Sequence, residues 1–203
     1  KNVSDFKVSY SLNERTRAFF KIQDGCSYNC TFCTIPMARG ISRSGTVKET
    51  INSVKTILDS GVKEIVLSGI NIGDFGIQHN QNLNMLIKEL EKVNNLERYR
   101  ISSIEPNLIN NDMIELFYYS NKWARHMHIP LQSGSDKILK KMKRRYNTAN
   151  YIKSIKTLKN KFSNICIGVD VIVGFPGENK NDFNKTYEIL KQLEVSYLHV
   201  FSY

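Results

Sequence analysis

Short apolar runs and amphipathic segments alternate along most of this chain. Six runs rich in apolar, β-branched and aromatic residues predict strands at 17–23, 64–68, 99–102, 126–131, 165–173 and 197–201. Between them, apolar residues recur every three or four positions, which predicts helices at 46–61, 83–93, 111–119, 135–142, 149–158 and 183–193. The first of these helices begins with a capping-box pattern at Thr46 to Glu49 and ends at Gly61.

The regular alternation of strands and helices predicts an α/β fold with a parallel sheet and right-handed crossovers. A doubly wound sheet and a partial barrel both satisfy this pattern, and in either fold ligands bind at the carboxyl ends of the strands. The segments that follow the strands are rich in glycine and polar residues, at 24–33, 68–73, 102–106, 128–134 and 174–178. We therefore expect the functional site to be built from these segments.

The loop after the first strand contains three of the four cysteines. It has the sequence QDGCSYNCTFC, with Cys26, Cys30 and Cys33 separated by three and two residues. Clustered thiolates favour a soft metal or an iron–sulfur cluster. A structural zinc site would need a fourth ligand, and a disulfide would leave one thiol over. Cys166 lies inside an apolar run and is interpreted as a core residue.

An iron–sulfur cubane held by three cysteines has one iron with an open position, and a small molecule can bind there. The spacing of Cys26, Cys30 and Cys33, with Phe32 before the last cysteine, resembles the signature of radical S-adenosylmethionine (SAM) enzymes. The likeness extends from about Arg17 to Tyr203. It implies a partial (β/α)6 barrel of the TIM-like type, a [4Fe-4S] cluster on the three cysteines, and bound SAM.

Further motifs resemble the methylthiotransferases of that superfamily. They are QDGCSYNCTFCTIPMARG, VLSGINIGDFG, RISSIEP, HIPLQSGSDKILKKMKRRY and DVIVGFPGE. GINIGDFG and SSIEP favour the branch that modifies threonylcarbamoyladenosine beside the tRNA anticodon. Other branches act on isopentenyladenosine in tRNA or on a ribosomal-protein side chain, and a protein substrate remains an alternative. A non-enzymatic, zinc-stapled nucleic-acid-binding module is a third interpretation.

The resemblance implies that the reduced cluster cleaves SAM to methionine and a deoxyadenosyl radical. No side chain is therefore assigned a catalytic role, and an electron donor of the flavodoxin or ferredoxin type is implied. Gly69 and Asn71 match the site of the methionine amino group. The ribose hydroxyls or the carboxylate are assigned to Ser103, Glu105 and Gln132, and the adenine to Phe32, Val173 and Gly174. Gln132 has an alternative role as a cap of the next helix.

Positive charge favours a polyanionic partner such as tRNA. Lys plus Arg number 29 and Asp plus Glu 19, for a formal net charge of +10, although a solvated lysine-rich surface explains this balance equally well. The segment KILKKMKRR at 137–145 is the most basic. The candidate RNA contacts are Arg39, Arg43, Lys140, Lys141, Lys143, Arg144 and Arg145. His128 is interpreted either as a cavity residue or as a structural histidine.

Residues 1–15 are polar and are predicted to be a leader or interdomain linker, and residues 16–203 a radical SAM core domain. The resemblance implies an N-terminal domain with a second cluster and a C-terminal RNA-binding domain, neither of which is in this sequence. We therefore expect this chain to form the radical without completing sulfur insertion. No segment resembles a signal peptide or a membrane span, which with the clustered thiols predicts a cytoplasmic protein. The oligomeric state is not indicated.

Overall fold

The computed structural model describes residues 6–11 and 16–203, which divide into two compact units. Unit 1 contains the described residues up to 28, together with 34–104 and 110–124. Unit 2 contains 29–33, 105–109 and 125–203. The predicted leader at 1–15 lies partly outside the described residues.

Unit 1 contains a four-stranded sheet with the order β1-β2-β5-β6. β1 is antiparallel to β2, whereas β2, β5 and β6 are parallel, with Phe20 opposite Leu67. β3 and β4 form a separate antiparallel pair. The bounds are β1 Ser9–Ser11, β2 Arg17–Lys21, β3 Gln23–Asp24, β4 Arg43–Ser44, β5 Glu64–Ser68 and β6 Arg98–Ile101. β1 lies within the segment at 1–15 that the sequence predicts to be a leader or interdomain linker.

The α-helices of unit 1 are α1 Ile35–Arg39, α2 Val47–Asp59, α3 Leu83–Glu91 and α4 Asn111–Tyr119. α2, α3 and α4 follow the predicted apolar periodicity. The capping box is confirmed. The Thr46 side chain accepts from the Glu49 backbone N–H, and the Glu49 carboxylate accepts from the Thr46 backbone N–H. Val54, Ile57 and Leu86 are completely buried, as expected for the apolar faces of α2 and α3.

Unit 2 contains three parallel strands in the order β7-β8-β9, and three α-helices. The bounds are β7 His126–His128, β8 Cys166–Val173, β9 Tyr197–Ser202, α5 Asp136–Lys141, α6 Thr148–Lys161 and α7 Lys180–Leu193. Ile167, Val169 and Val171 alternate along one face of β8 and are buried. The predicted succession of parallel strands is thus confirmed as two sets of three.

The structure differs from the predicted elements in three places. The first strand is divided, because Gln23–Asp24 pairs with β4 and not with β5. The fourth strand ends at His128, earlier than predicted, although Ile129 and Leu131 still donate to the carbonyl oxygens of Gly168 and Asp170 in β8. The short helix α1, with a proline in its first turn, was not predicted. Within the described residues, no helix is long and apolar enough to cross a bilayer.

Candidate cofactor site

The first part of the cysteine loop, in unit 1, is tied closely to the backbone after α1. The backbone N–H of Cys26 donates to the carbonyl oxygen of Gly40 at 3.0 Å. Gly25 has φ +69°, and a Cβ there would lie 2.1 Å from the carbonyl oxygen of Ile41. Only glycine fits this approach, so the conformation in which Cys26 is presented depends on Gly25.

Asp24, near the start of this loop, forms ion pairs with two of the predicted RNA-binding arginines. Its carboxylate lies 2.9 Å from the Arg43 guanidinium and 3.2 Å from that of Arg39. Burial opposes ionisation of Asp24, but hydrogen bonds from the Gly25 N–H and Arg39 outweigh it and hold its pKa below the usual value. The Arg43 side chain is buried in this ion pair and is not available to a phosphate, whereas Arg39 is half-exposed.

A buried hydrogen-bond network lies under the predicted amino-group site of unit 1. Gln23 Oε1 accepts from the backbone N–H of Asn71 at 2.8 Å, and a Cβ on Gly69 would lie 2.9 Å from the same oxygen. Asp74 Oδ2 accepts from Asn71 Nδ2 at 2.9 Å and from Ser42 Oγ at 2.7 Å. Asn71 Oδ1 is buried and has no hydrogen-bond partner among the described residues. A buried acceptor left in this way fits a donor supplied by a ligand.

Ser103, the other predicted cofactor residue in unit 1, lies two residues beyond the end of β6. Its side chain is half-buried. This is the strand-end position that the sequence predicted for it.

In unit 2, Arg144 lies in the interior beside a cysteine. One guanidinium nitrogen is 3.2 Å from Cys30 Sγ, another pairs with the Glu105 carboxylate, and Nε donates to the Tyr146 hydroxyl at 3.2 Å. Only 3% of the Arg144 side chain is exposed. Burial disfavours its charge, but the interactions with Tyr146 and Glu105 prevail and raise the pKa above its usual value. Arg144 is therefore a fixed internal cation and not a surface contact for RNA.

The turn after α5 fixes the second part of the cysteine loop. The backbone N–H of Thr31 donates to the Met142 carbonyl at 3.2 Å, and the Thr31 hydroxyl donates to the Lys141 carbonyl at 3.0 Å. Cys33 N–H donates to the Cys30 carbonyl at 3.1 Å, which closes a tight turn between the two thiols. Both thiols are free of disulfides, as the sequence predicted.

Two of the predicted cofactor residues, Phe32 and Gln132, line a cavity of about 340 Å3 in unit 2. It is lined by Phe32, Gln132, Ile172, Phe201, Ser202 and Tyr203. Gln132 has φ +63°, an unusual conformation for a residue with a side chain, and its backbone bonds to Asp170 and Ile172 at 2.8 and 2.9 Å. Strained backbone of this kind is concentrated at ligand sites.

Val173 and Gly174, predicted to contact adenine, follow at the end of β8. Val173 O accepts from the Tyr203 N–H at 2.9 Å, and Gly174 has φ +79° with open space where a Cβ would lie. The structure therefore brings Phe32, Gln132 and the end of β8 together within unit 2.

The remaining candidate RNA contacts in unit 2 are exposed. They are Lys140, Lys141, Lys143 and Arg145, at the end of α5 and in the turn after it. Arg144 is the exception within this basic segment, and no sequence period separates it from its neighbours. Asp170 was also missed, although a carboxylate inside an otherwise apolar strand is a signal that a sequence reading can use.

Comparison with known proteins agrees with this fold and these motifs. The family model of the Radical SAM superfamily matches residues 20–190. A Bacillus subtilis protein named threonylcarbamoyladenosine tRNA methylthiotransferase MtaB is 43% identical over 195 residues, covering 95% of this chain and 43% of that protein. A Clostridium tetani protein named tRNA-2-methylthio-N(6)-dimethylallyladenosine synthase is 36% identical over 190 residues, covering 93% of this chain and 42% of that protein.

Solved structures with low sequence identity share the fold. The radical SAM methyltransferase TsrM from Kitasatospora setae, with cobalamin and a [4Fe-4S] cluster bound, matches with a TM-score of 0.75 at 14% identity, covering 91% of this chain and 36% of that one. Methylornithine synthase (PylB) matches with a TM-score of 0.64 at 14% identity, covering 92% and 52%.

The fold class is therefore α/β, with the partial TIM-like barrel of radical SAM proteins. The chain belongs to the Radical SAM superfamily. The resemblance to its methylthiotransferases is confirmed, and this chain spans less than half the length of the curated relatives described above.

Proposed function

We propose that this chain is the radical core of a tRNA methylthiotransferase and that Cys26, Cys30 and Cys33 hold a [4Fe-4S] cluster. The observation that carries the proposal is the set of three cysteines in one eight-residue stretch after the first parallel strand. Three thiolates suit an iron–sulfur cubane with one open iron better than a closed zinc site.

Each unit contains side chains whose chemistry suits a part of SAM. Asn71 Oδ1, the orphaned acceptor, would accept from the methionine ammonium. Arg144 supplies the buried positive charge that the methionine carboxylate needs, with Glu105 balancing it. The adenosyl group would occupy the cavity lined by Phe32 and Gln132. Ser103, Val173 and Gly174 remain proposed contacts of SAM.

When bound and reduced, the cluster supplies the electron that cleaves a carbon–sulfur bond of SAM. The task of this chain is to orient SAM and exclude water. Arg144 keeps one charged group fixed at Cys30, and the strained Gln132 backbone fixes the wall of the cavity. Both are held before any ligand binds, so little reorganisation accompanies binding.

The proposed substrate is threonylcarbamoyladenosine in tRNA, the nucleoside in the name of the Bacillus subtilis relative. Its position beside the anticodon is what the resemblance of the motifs implies. The net charge of +10 supports a polyanionic partner. Of the candidate contacts, Arg39, Lys140, Lys141, Lys143 and Arg145 are exposed and are retained. A second cluster and an electron donor belong to the same proposal.

Anaerobic reconstitution tests the radical core. The chain is loaded with iron and sulfide and supplied with SAM and dithionite, and we expect about four irons per chain and release of deoxyadenosine. Cys30→Ala should abolish both, whereas Cys166→Ala, outside the loop, serves as the matched control. A colourless protein that retains one zinc ion would refute the proposal.

A salt titration tests the RNA contacts. In the natural full-length protein, Lys140→Ala, Lys141→Ala and Lys143→Ala together should lower the slope of log affinity against log salt by about 3. Lys153→Ala, on α6, is a matched exchange of a lysine outside the basic segment. An unchanged slope in the triple variant would remove this segment from the interface.

A further inference from the structure

A second polar cluster lies on the face of the β7–β9 sheet that also borders the cavity. Side chains alternate between the faces of a strand, so Asp170 shares a face with Ile172, and His199 shares one with Phe201. Ile172 and Phe201 line the cavity. The cluster therefore lies about 7 Å from the cavity wall, one two-residue step back along each strand.

Asp170 joins two histidines from neighbouring strands. Its Oδ2 is 2.8 Å from His128 Nε2, and its Oδ1 is 3.0 Å from His199 Nδ1. The two imidazole rings are 5.4 Å apart and inclined by 29°. Burial opposes ionisation of Asp170, but the hydrogen bonds and charges of the two histidines hold its pKa below the usual value. Each histidine thus donates an N–H to an ionised carboxylate.

A half-buried tyrosine on β9 holds the inner histidine in place. The Tyr197 hydroxyl lies 3.1 Å from His128 Nδ1 and 2.8 Å from His126 Nε2. Room for the Tyr197 ring exists only because residue 168 is glycine, where a Cβ would lie 2.0 Å from Tyr197 Cζ. Both ring nitrogens of His128 are therefore engaged, and the ring is fixed in position.

Exposure increases along this hydrogen-bonded series. The exposed fraction of the side chain is 10% for His128, 22% for Asp170 and 56% for His199. Nδ1 of His199 is held by Asp170, and no described residue forms a hydrogen bond with its Nε2. A rigid, buried support that ends in one accessible imidazole is the arrangement expected of a group that contacts a ligand.

The Bacillus subtilis and Clostridium tetani relatives are named for adenosines that carry different substituents on N6. A threonylcarbamoyl group carries a carboxylate, a hydroxyl and a urea, whereas a dimethylallyl group is a hydrocarbon. An imidazole fixed by a carboxylate can exchange hydrogen bonds with the first group. Against the second group, the cluster would lose its water without gaining a partner, which is unfavourable.

We propose that His128, Asp170 and His199 form the subsite that selects a polar, acidic N6 substituent of the substrate adenosine, with His199 as the contact residue. This inference rests on the proposed function and adds to it the origin of substrate discrimination. His128 and Asp170 act as positioning residues, because they hold His199 and are themselves largely buried.

Binding to three anticodon stem-loop RNAs tests this subsite. They carry threonylcarbamoyladenosine, dimethylallyladenosine or adenosine at the same position, and dissociation constants are measured with the natural full-length holoenzyme. His199→Leu should reduce the preference for the threonylcarbamoyl RNA over the dimethylallyl RNA by about tenfold to a hundredfold. His199→Gln, which keeps a hydrogen-bonding group, should retain part of this preference.

Val200→Leu is the matched control, because Val200 is exposed on the opposite face of the same strand. Circular dichroism melting of each variant separates loss of fold from loss of recognition. An unchanged preference in a folded His199→Leu variant would overturn the inference. Stoichiometric zinc or iron in a variant with all three loop cysteines changed to alanine, lost again on His199→Leu, would also overturn it.

Deoxyadenosine release in the same preparations separates this inference from the proposed function. A wild-type holoenzyme that releases no deoxyadenosine would refute the proposed function. A wild-type holoenzyme that releases deoxyadenosine and binds the three RNAs equally would refute the selective subsite alone.

Discussion

Units 1 and 2 both place polar side chains beyond or along three parallel strands, but they use them differently. In unit 1, Gln23, Ser42 and Asp74 are buried and bond mainly to one another and to nearby backbone. In unit 2, Gln132 lines a cavity with strained backbone, and a hydrogen-bonded series ends at the accessible His199. Three parallel strands thus support a mostly satisfied scaffold in unit 1 and the proposed ligand-binding surface in unit 2.

The energetic cost of buried polar groups explains why this difference is informative. A buried donor or acceptor without a partner costs about 1–3 kcal/mol, so a scaffold normally satisfies such groups internally. Among the described residues, Asn71 Oδ1 is the side-chain acceptor without a partner in the network formed by Gln23, Ser42, Asn71 and Asp74. It marks the position in that network where we expect a ligand.

The largest predicted effect compares one buried arginine from each unit. Arg144→Met leaves Glu105 with no other ion pair among the described residues, so we expect the free energy of unfolding to fall by about 3–5 kcal/mol. Arg43→Met should cost less, about 1–3 kcal/mol, because Asp24 retains Arg39 and Lys21.

Urea denaturation followed by circular dichroism measures both variants, and Arg145→Met, at an exposed neighbour, provides the baseline. Equal costs for the two buried arginines would contradict the view that Glu105 depends on a single partner. A SAM affinity that falls only in Arg144→Met would support the proposed carboxylate contact.

Gly25→Ala tests whether the backbone of unit 1 can accommodate a Cβ at this position without a loss of stability. The new Cβ would overlap the Ile41 carbonyl at φ +69°, so we expect a loss of about 2–4 kcal/mol of unfolding free energy. Gly61→Ala is the matched control, because Gly61 has φ +88° but open space around it, and it should cost about 1 kcal/mol. If the two variants melted at the same temperature, the close approach at Gly25 would not be a constraint.

These examples also show which features a sequence can predict. The bounds of α4 and β5 were predicted because they depend on local periodicity. The capping box at Thr46 and Glu49 is equally local. The interior position of Arg144 was not predicted, because it depends on Cys30, which lies 114 residues earlier in the chain.

Other features of the site have the same tertiary origin. The positive φ of Gln132 follows from its backbone bonds to β8, and no residue type signals it in advance. The strand β1 has a polar sequence and is recognisable only through its pairing with β2. His199 lies in a predicted strand, but its partner Asp170 belongs to another. Sequence periodicity does not predict which residues of different strands will contact each other.

The orphaned acceptor in unit 1 gives a smaller and more specific prediction. Asn71→Ala removes the proposed hydrogen bond to the SAM ammonium, and we expect SAM affinity to fall by about tenfold to a hundredfold. Ser42→Ala removes a comparable bond to Asp74 but leaves Asn71 Oδ1 in place. Anaerobic calorimetry of both variants separates the two effects, and equal losses of affinity would assign Asn71 to the scaffold alone.

The smallest predicted effect tests whether unit 2 also contains a purely structural network. Hydrogen bonds from Lys137 and Ser135 hold the pKa of Asp182 down to about 2, compared with about 3.9 in an unfolded chain. A lowered pKa means that this stabilisation is complete above about pH 4 and is lost as the pH falls towards 2. The stability advantage of the wild type over Asp182→Asn should therefore shrink across that range.

Urea denaturation between pH 5 and pH 2 provides the measurement for Asp182. Glu49→Gln is the matched variant in unit 1, because Glu49 also closes a capping box and its pKa is also lowered, by hydrogen bonds from Thr46. A stability difference for Asp182→Asn that stayed constant with pH would mean that the carboxylate charge contributes nothing there. If the stability difference shrank with falling pH for both variants, the N-terminal ends of α2 and α7 would act as scaffold in both units. The contrast between the units would then not extend to these helix ends.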